Sequence, residues 1–286
     1  ILELPLDRML FQSKPIRVSL LEHPFTFWSE DSFGCLNVKI LQLIGDKQTQ
    51  EDGFFNFFYN NYFIVGICDG HNGSNCVDYI CQNFERLYIN NSSKFKSMSE
   101  IFRHIFIQLD TIFIENEFYD GVVVSIFVYH TKSKLSYVAQ LGDTTVLLFD
   151  SNFFEIFHSE KHDTKNPNEI VRFTNNSQVL NLPYSKDFGL MPTRVLGSTH
   201  IKQPSLKREL DPLCPIPQVN TISNASFALL ATDGITDLIN CAEISKIVQN
   251  ERCIIKSVEI IFEHCKKFTV FKDNQTLIGV NLLKYE

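Results

Sequence analysis

The amino-acid sequence predicts a layered α+β domain, and three observations carry that prediction. Runs rich in β-branched and aromatic residues recur along the chain, as strands require. Two of them, Gly121–Tyr129 and Leu135–Gln140, are joined by a short polar turn containing Thr131, Lys132, Ser133 and Lys134, so at least part of the sheet is antiparallel. Long apolar stripes of helical period pair in sequence with these antiparallel strands, which favours packed layers over alternating βαβ units.

In chain order, Tyr62–Cys68 is the first strong strand. A helix follows on the stripe Val77, Ile80, Cys81, Phe84 and Leu87, with Ser74 as its N-cap. Ile101, Ile105, Leu109 and Ile112 mark a second helix. The hairpin Gly121–Tyr129 and Leu135–Gln140 comes next, then strands at Thr145–Phe149 and Phe227–Ala231. Ile244, Ile247 and Val248 give a third helix, and Ile254, Val258, Ile261 and Cys265 a fourth. A last strand spans Thr276–Leu282. The polar segment Gly45–Gly53 and the proline-rich segment Gln203–Pro217 read as loops or insertions, and Asn60-Asn61, Asn90-Asn91 and Asn175-Asn176 as loop or turn material. With no repeat and no low-complexity linker, the 286 residues are expected to form one domain, 1–286; because the first residue is Ile1, that domain is expected to come from a longer chain.

Composition narrows the function classes. Hydrophobic residues make up 44% and charged residues 21%, the balance of a folded globule. A net charge of -7 argues against nucleic acid as a partner and suits a protein that gathers carboxylates around cations. No apolar run reaches the roughly 18 residues of a membrane span. The eight Cys include no C-x-x-C, which disfavours a zinc knuckle; reduced thiols and a cytoplasmic or nuclear location are the expectation.

The chemistry concentrates in carboxylates at strand ends. Asp69-Gly70-His71 follows the strand Tyr62–Cys68, Asp233-Gly234 follows Phe227–Ala231, and Asp273-Asn274 precedes the last strand. Glu30-Asp31 is a fourth acidic pair. Gly beside such an Asp lets a backbone carbonyl approach a ligand closely. Hard divalent cations require several converging oxygens, and two of them about 4 Å apart can activate water for in-line attack on a phosphoryl group. Taken singly, Asp-Gly is a common turn, His71 an ordinary loop histidine and Glu30-Asp31 a solvated pair. Their order and matched strand contexts lift them above those readings.

These segments resemble the motifs of the type 2C (PPM) protein Ser/Thr phosphatases, in order, from about Arg17 to Leu283. Ser29-Glu30-Asp31 is similar to the M-E-D box, and Asp69-Gly70-His71-Asn72-Gly73 to D-G-H-G-G. Gly121 begins the counterpart of G-S-T-A. The segment from Val138 to Thr145, containing Gly142-Asp143, resembles V-A-x-x-G-D-S-R. Asn166-Pro167-Asn168-Glu169 resembles N-P-x-E, and the segment from Thr193 to Ser198 resembles S-R-A-L-G-D. Thr232-Asp233-Gly234-Ile235-Thr236-Asp237 resembles S-D-G-L-W-D, and Asp273-Asn274-Gln275-Thr276 the closing D-N-x-T.

The resemblance implies a four-layer αββα sandwich of two mostly antiparallel sheets flanked by helices. It implies a centre of two Mg²⁺ or Mn²⁺ ions: Asp69 bridges them, Gly70 lends its carbonyl, Glu30 and Asp31 serve one side, and Asp233 and Asp273 complete the other. Asp143 and Asp237 match ligands of a third, weaker ion, and His71 matches the general acid. The implied activity is hydrolysis of phosphoserine and phosphothreonine on proteins, without a covalent intermediate, by a monomer. One departure stands out. The family carries an Arg four residues before the Glu of M-E-D to clamp the phosphate, and Thr26 occupies that position here. Arg17 and Arg194 are the candidates to replace it in space. The alternative reading is a pseudophosphatase that acts as a binding or scaffold domain.

Overall fold

The computed structural model describes residues 36–172, 192–202, 211, 213–268 and 273–283, with 25–29, 173 and 174 described as backbone only. Two antiparallel sheets pack face to face. The first is built from β1 (Phe25–Ser29), β2 (Asn37–Leu43), β12 (Gln275–Asn281), β11 (Phe227–Ala231), β7 (Thr145–Phe149) and β8 (Glu155–His158), in that order. The second runs β10 (Gln218–Ile222), β6 (Ser136–Leu141), β5 (Gly121–His130), β4 (Tyr62–His71) and β3 (Gly53–Tyr59), with the two-residue β9 (Leu196–Gly197) beside β5. The predicted hairpin is β5–β6, and the predicted β7 and β11 match their observed bounds.

Three apolar layers hold the sandwich. Helices α1 (Asn75–Ser92) and α2 (Met98–Glu115) cover the second sheet through Ile80, Phe84, Phe102 and Ile105. Between the sheets, Val65, Ile67 and Phe127 meet Ile40, Val146 and Ile278. Helices α5 (Cys241–Glu251) and α6 (Ile254–Lys266) cover the first sheet through Ile244, Val258 and Ile261, packed on Leu229 and Leu277. The chain is rich in Phe because Phe fills these layers: Phe84, Phe102, Phe106, Phe113, Phe127, Phe149 and Phe262 are all fully buried. Each such ring contributes about 1.5–3 kcal/mol of burial. This is the αββα arrangement that the resemblance implies.

Ser74 stands at the N-cap of α1, as predicted, but its side chain makes no capping bond. Asp120, just before β5, caps that helix instead: its Oδ2 accepts from the Cys76 N–H at 2.7 Å. The helix is thereby pinned to the strand beside it. The seven described cysteines are all free thiols, and no described helix is long and apolar enough to cross a membrane.

Candidate active site

Sheet register brings the acidic residues to one end of the molecule. In the first sheet Thr145, Ala231 and Leu277 lie on one rung. Asp143 stands just before β7, Asp233 just after β11 as the first residue of the short helix α4 (Asp233–Thr236), and Asp273 just before β12. In the second sheet Gly53 pairs with Cys68. One step beyond that pair, Asp52 and Asp69 face each other across the β3–β4 hairpin. Asp52 then ties the two sheets together: its Oδ2 accepts from Thr276 Oγ1 at 2.7 Å and Thr232 Oγ1 at 3.1 Å.

The loop before β3 packs onto this end. A Cβ on Gly70 would come within 2.6 Å of the Glu51 carbonyl oxygen, so glycine is required there. Glu51 N–H donates to Asn274 Oδ1 at 2.7 Å, which binds the loop to the start of β12.

Among the described residues no buried guanidinium neutralises these carboxylates. Burial, then the charges of Asp233, Asp52 and Asp143, drive Asp69 well above the usual carboxylate range. Burial and the charges of Asp233 and Asp273 push Asp52 up to about 8, against the two Thr hydroxyls. Burial and Asp233 push Asp143 up to about 7, with Lys161 opposing. Asp233 is also raised, by burial and then by Asp237 and Asp273. Asp69 Oδ2 is shut from solvent without a hydrogen-bond partner. Among the described residues no three acidic, His or Cys side chains already stand in a closed metal cage. The orphaned oxygen, the mutual repulsion and the all-oxygen donor set nonetheless fit hard divalent cations.

Two lysines line the rim. Lys47 Nζ lies 2.9 Å from Asp273; partial burial works to lower its pKa, but the bond to Asp273 and the charges of Asp273, Glu51 and Asp233 outweigh that and raise it. Lys161 donates to Thr236 Oγ1 at 3.0 Å and lies 3.8 Å from the exposed Asp237.

His71 ends β4, opposite Gly121. Its Nε2 is 2.8 Å from Ser198 Oγ. A Cβ on Gly121 would strike both groups, at 2.2 Å from Ser198 Oγ and 2.4 Å from His71 Nε2, which explains the glycine that begins β5. Burial lowers His71 to about 4, so the ring is neutral at pH 7.

The N-P-x-E segment does different work. It starts α3 (Pro167–Thr174), and Glu169 is buried against Arg194 Nη2 at 2.6 Å, Arg172 Nη2 at 3.0 Å and Thr193 Oγ1 at 2.7 Å. Arg194 is therefore committed to Glu169 and to the Ile216 carbonyl, away from the role of a substitute phosphate clamp. Arg17 lies outside the described residues.

Of the sequence-predicted residues, Asp69, Gly70, His71, Asp143, Asp233, Asp237 and Asp273 gather at this end. Glu30 and Asp31 lie outside the described residues, and only the backbone of Thr26 is described, in register with Leu41. The last residue of β1, Ser29, pairs with Val38, at the end of the sheet away from Asp273. Sequence reasoning missed Asp52, Glu51 and Lys47. They sit in the segment read as a polar excursion, and the signal available was an acidic pair directly before the aromatic run of β3.

The family model described as Protein phosphatase 2C matches residues 55–269. The chain belongs to this family. A "probable protein phosphatase" of Dictyostelium discoideum is 25% identical over 84% of this chain, which spans 24% of that protein's length. The structure of a phosphatase from a pathogenic strain of Toxoplasma gondii superposes with a TM-score of 0.75, at 15% identity, over 92% of this chain and 97% of that one. A C. elegans sex determining protein superposes with a TM-score of 0.71, at 17% identity, over 89% of this chain and 66% of that one. At such identities the structures support the shared fold alone.

Proposed function

We propose that this domain hydrolyses phosphoserine and phosphothreonine on proteins with two bound divalent cations, Mg²⁺ or Mn²⁺, and a weaker third near Asp143 and Asp237. The observation that carries the reading is the convergence of Asp52, Asp69, Asp143 and Asp233, raised by burial and by one another, at one end of both sheets. Asp69, the Gly70 carbonyl, Asp233 and Asp273 hold the pair. Glu51 and Asp52 take the part that the sequence pattern assigned to Glu30 and Asp31. When bound, such cations activate water and neutralise phosphoryl charge.

Once Gln50-Glu51-Asp52 is read as the acidic box, the residue four places before its Glu is Lys47. Its ammonium grips phosphate as a point charge rather than a bidentate fork, and substrate phosphate competes with Asp273 for it. Ser198 orients His71; burial keeps this ring neutral at pH 7, so it offers the leaving oxygen a hydrogen bond rather than the transferable proton of a general acid.

The test is turnover of a phosphothreonine peptide and of p-nitrophenyl phosphate with Mg²⁺ and with Mn²⁺. Asp69→Asn and Asp233→Asn should each lower kcat by about 10²–10³-fold or more. Lys47→Ala should raise KM for the peptide more than it lowers kcat. Wild-type activity no higher than that of the two Asn variants overturns catalysis and leaves a scaffold domain.

A further inference from the structure

A second cleft lies at the other end of the second sheet. It encloses about 470 Å³, within the range of small-molecule sites. The strand β4 runs from Tyr62 at this cleft to Asp69 at the acidic cluster, a separation of roughly 23 Å at the usual strand rise. The cleft therefore takes no part in the chemistry proposed above.

Its lining is unlike the rest of this acidic chain. Tyr59, Tyr62, Tyr88, Tyr137 and Phe95 supply aromatic walls, and five Ser and Thr side chains add hydroxyls. Among the described residues that line it, none is Asp or Glu, and Lys96 alone is charged. Two of these hydroxyls are spent locally, Ser92 on the Ile89 carbonyl and Ser97 on Glu100 in the cap of α2, but in a protein with 33 acidic residues against 26 basic ones the charged side chain on this lining is a cation.

Tyr88 sharpens the point. The residue is 1% exposed, yet among the described residues its hydroxyl has the Met98 thioether as partner, at 3.7 Å. A thioether is a weak acceptor, and a buried O–H without a good acceptor is costly. Burial and the nearby hydroxyls of Tyr62, Tyr59 and Tyr137 raise the Tyr88 phenol, so it remains a donor at all ordinary pH. The Tyr88 hydroxyl is thus left with a weak acceptor at the edge of the cleft, and what the cleft walls fit is a flat ring.

We propose that this cleft binds a planar aromatic compound carrying an oxyanion. The ring lies against the tyrosine walls. The oxyanion accepts from the Tyr88 hydroxyl and is drawn by Lys96.

Calorimetric titration of the whole chain in EDTA, which keeps the acidic cluster free of cations, tests this. The probes are 2-naphthoate and 2-naphthylphosphonate, whose relative affinities distinguish carboxylate from phosphate-like ligands, with 2-naphthalenemethanol and inorganic phosphate as the uncharged and ringless controls. Saturable 1:1 binding of at least one aromatic anion is expected, with each control at least about tenfold weaker. Tyr88→Phe should weaken binding about tenfold, Val219→Trp should abolish it by filling the cleft, and Asp69→Asn should leave it unchanged. Circular dichroism confirms that each variant is folded. The proposal is overturned if neither anion binds the wild type, if 2-naphthalenemethanol binds as well as the anions, or if folded Val219→Trp binds them undiminished.

Discussion

Glu169 and Asp52 are both buried carboxylates, and the fold treats them in opposite ways. Glu169 meets two guanidiniums and the Thr193 hydroxyl. Burial works to raise its pKa, but Arg194 and Arg172 overcome that and hold it at about 2. Asp52 meets two threonine hydroxyls and the charges of Asp233 and Asp273, and it rises to about 8. The protein supplies the counter-charge for the first and leaves the second to be completed from outside. A closed charge cluster braces α3 against the segment leading to β9, whereas the open one keeps the mutual repulsion that the proposed cations would relieve.

The largest effect expected from this contrast is on stability, and it has opposite signs at the two places. Glu169→Ala leaves Arg172 and Arg194 without their buried partner and should cost about 3–5 kcal/mol. Asp233→Asn in the cation-free protein removes one of several repelling carboxylates and should stabilise it by about 0.5–2 kcal/mol. Urea unfolding in EDTA measures both. If Asp233→Asn destabilises as strongly as Glu169→Ala, the acidic cluster is an internally satisfied structural element like the one around Glu169.

The same contrast predicts opposite pH dependences. Glu169 has a folded pKa below its ordinary 4.5, so its stabilisation is present above 4.5 and is lost as pH falls toward about 2. Asp52 has a folded pKa above its ordinary 3.8, so the cation-free protein is favoured below 3.8 and loses that contribution as pH rises through about 8. In EDTA, the urea midpoint of the wild type should fall between pH 5 and pH 8 relative to that of Asp52→Asn. Saturating Mg²⁺ should flatten the difference. An unchanged difference with Mg²⁺ present would show that no cation engages Asp52.

How much of this was legible in the sequence follows from how local each signal is. The strands β4, β5, β7 and β11 are dominated by β-branched, aromatic and other apolar residues, with β5, β7 and β11 buried over nearly all their length, and the helices carry full apolar stripes. By contrast β2 carries Lys39 as its third residue, a buried lysine whose partner Glu259 is far away in sequence, on α6. The edge strands β8 and β10 are partly exposed and lack a strong run. In the site, Asp69, Asp233 and Asp273 announce themselves by flanking strands. Asp52 also stands directly before a strand, β3, but that strand went unread, and the placement of Asp52 opposite Asp69 depends on the Gly53–Cys68 register of the hairpin it forms. Lys47 was hidden for the same reason: its meaning comes only from the position of Glu51.

The smallest effect probes the hydroxyls that stand, at Asp52, where guanidiniums stand at Glu169. Thr276 Oγ1 donates to Asp52 Oδ2 and also accepts from Gln42 Nε2 at 3.1 Å, while the Thr276 N–H is bonded to Thr232 Oγ1. Thr276→Val keeps the shape and removes the donor. Asp52 should then rise further in pKa and hold a cation less readily. Hydrogen bonds behind metal ligands are worth about 10–100-fold in affinity, so Mn²⁺ binding should weaken about tenfold. The cation-free protein should lose only about 1 kcal/mol. Calorimetric titration with Mn²⁺ beside urea unfolding in EDTA separates the two. A loss of stability without a loss of Mn²⁺ affinity would make the Thr276–Asp52 bond a brace between the sheets, and Asp52 would then belong with Glu169 rather than against it.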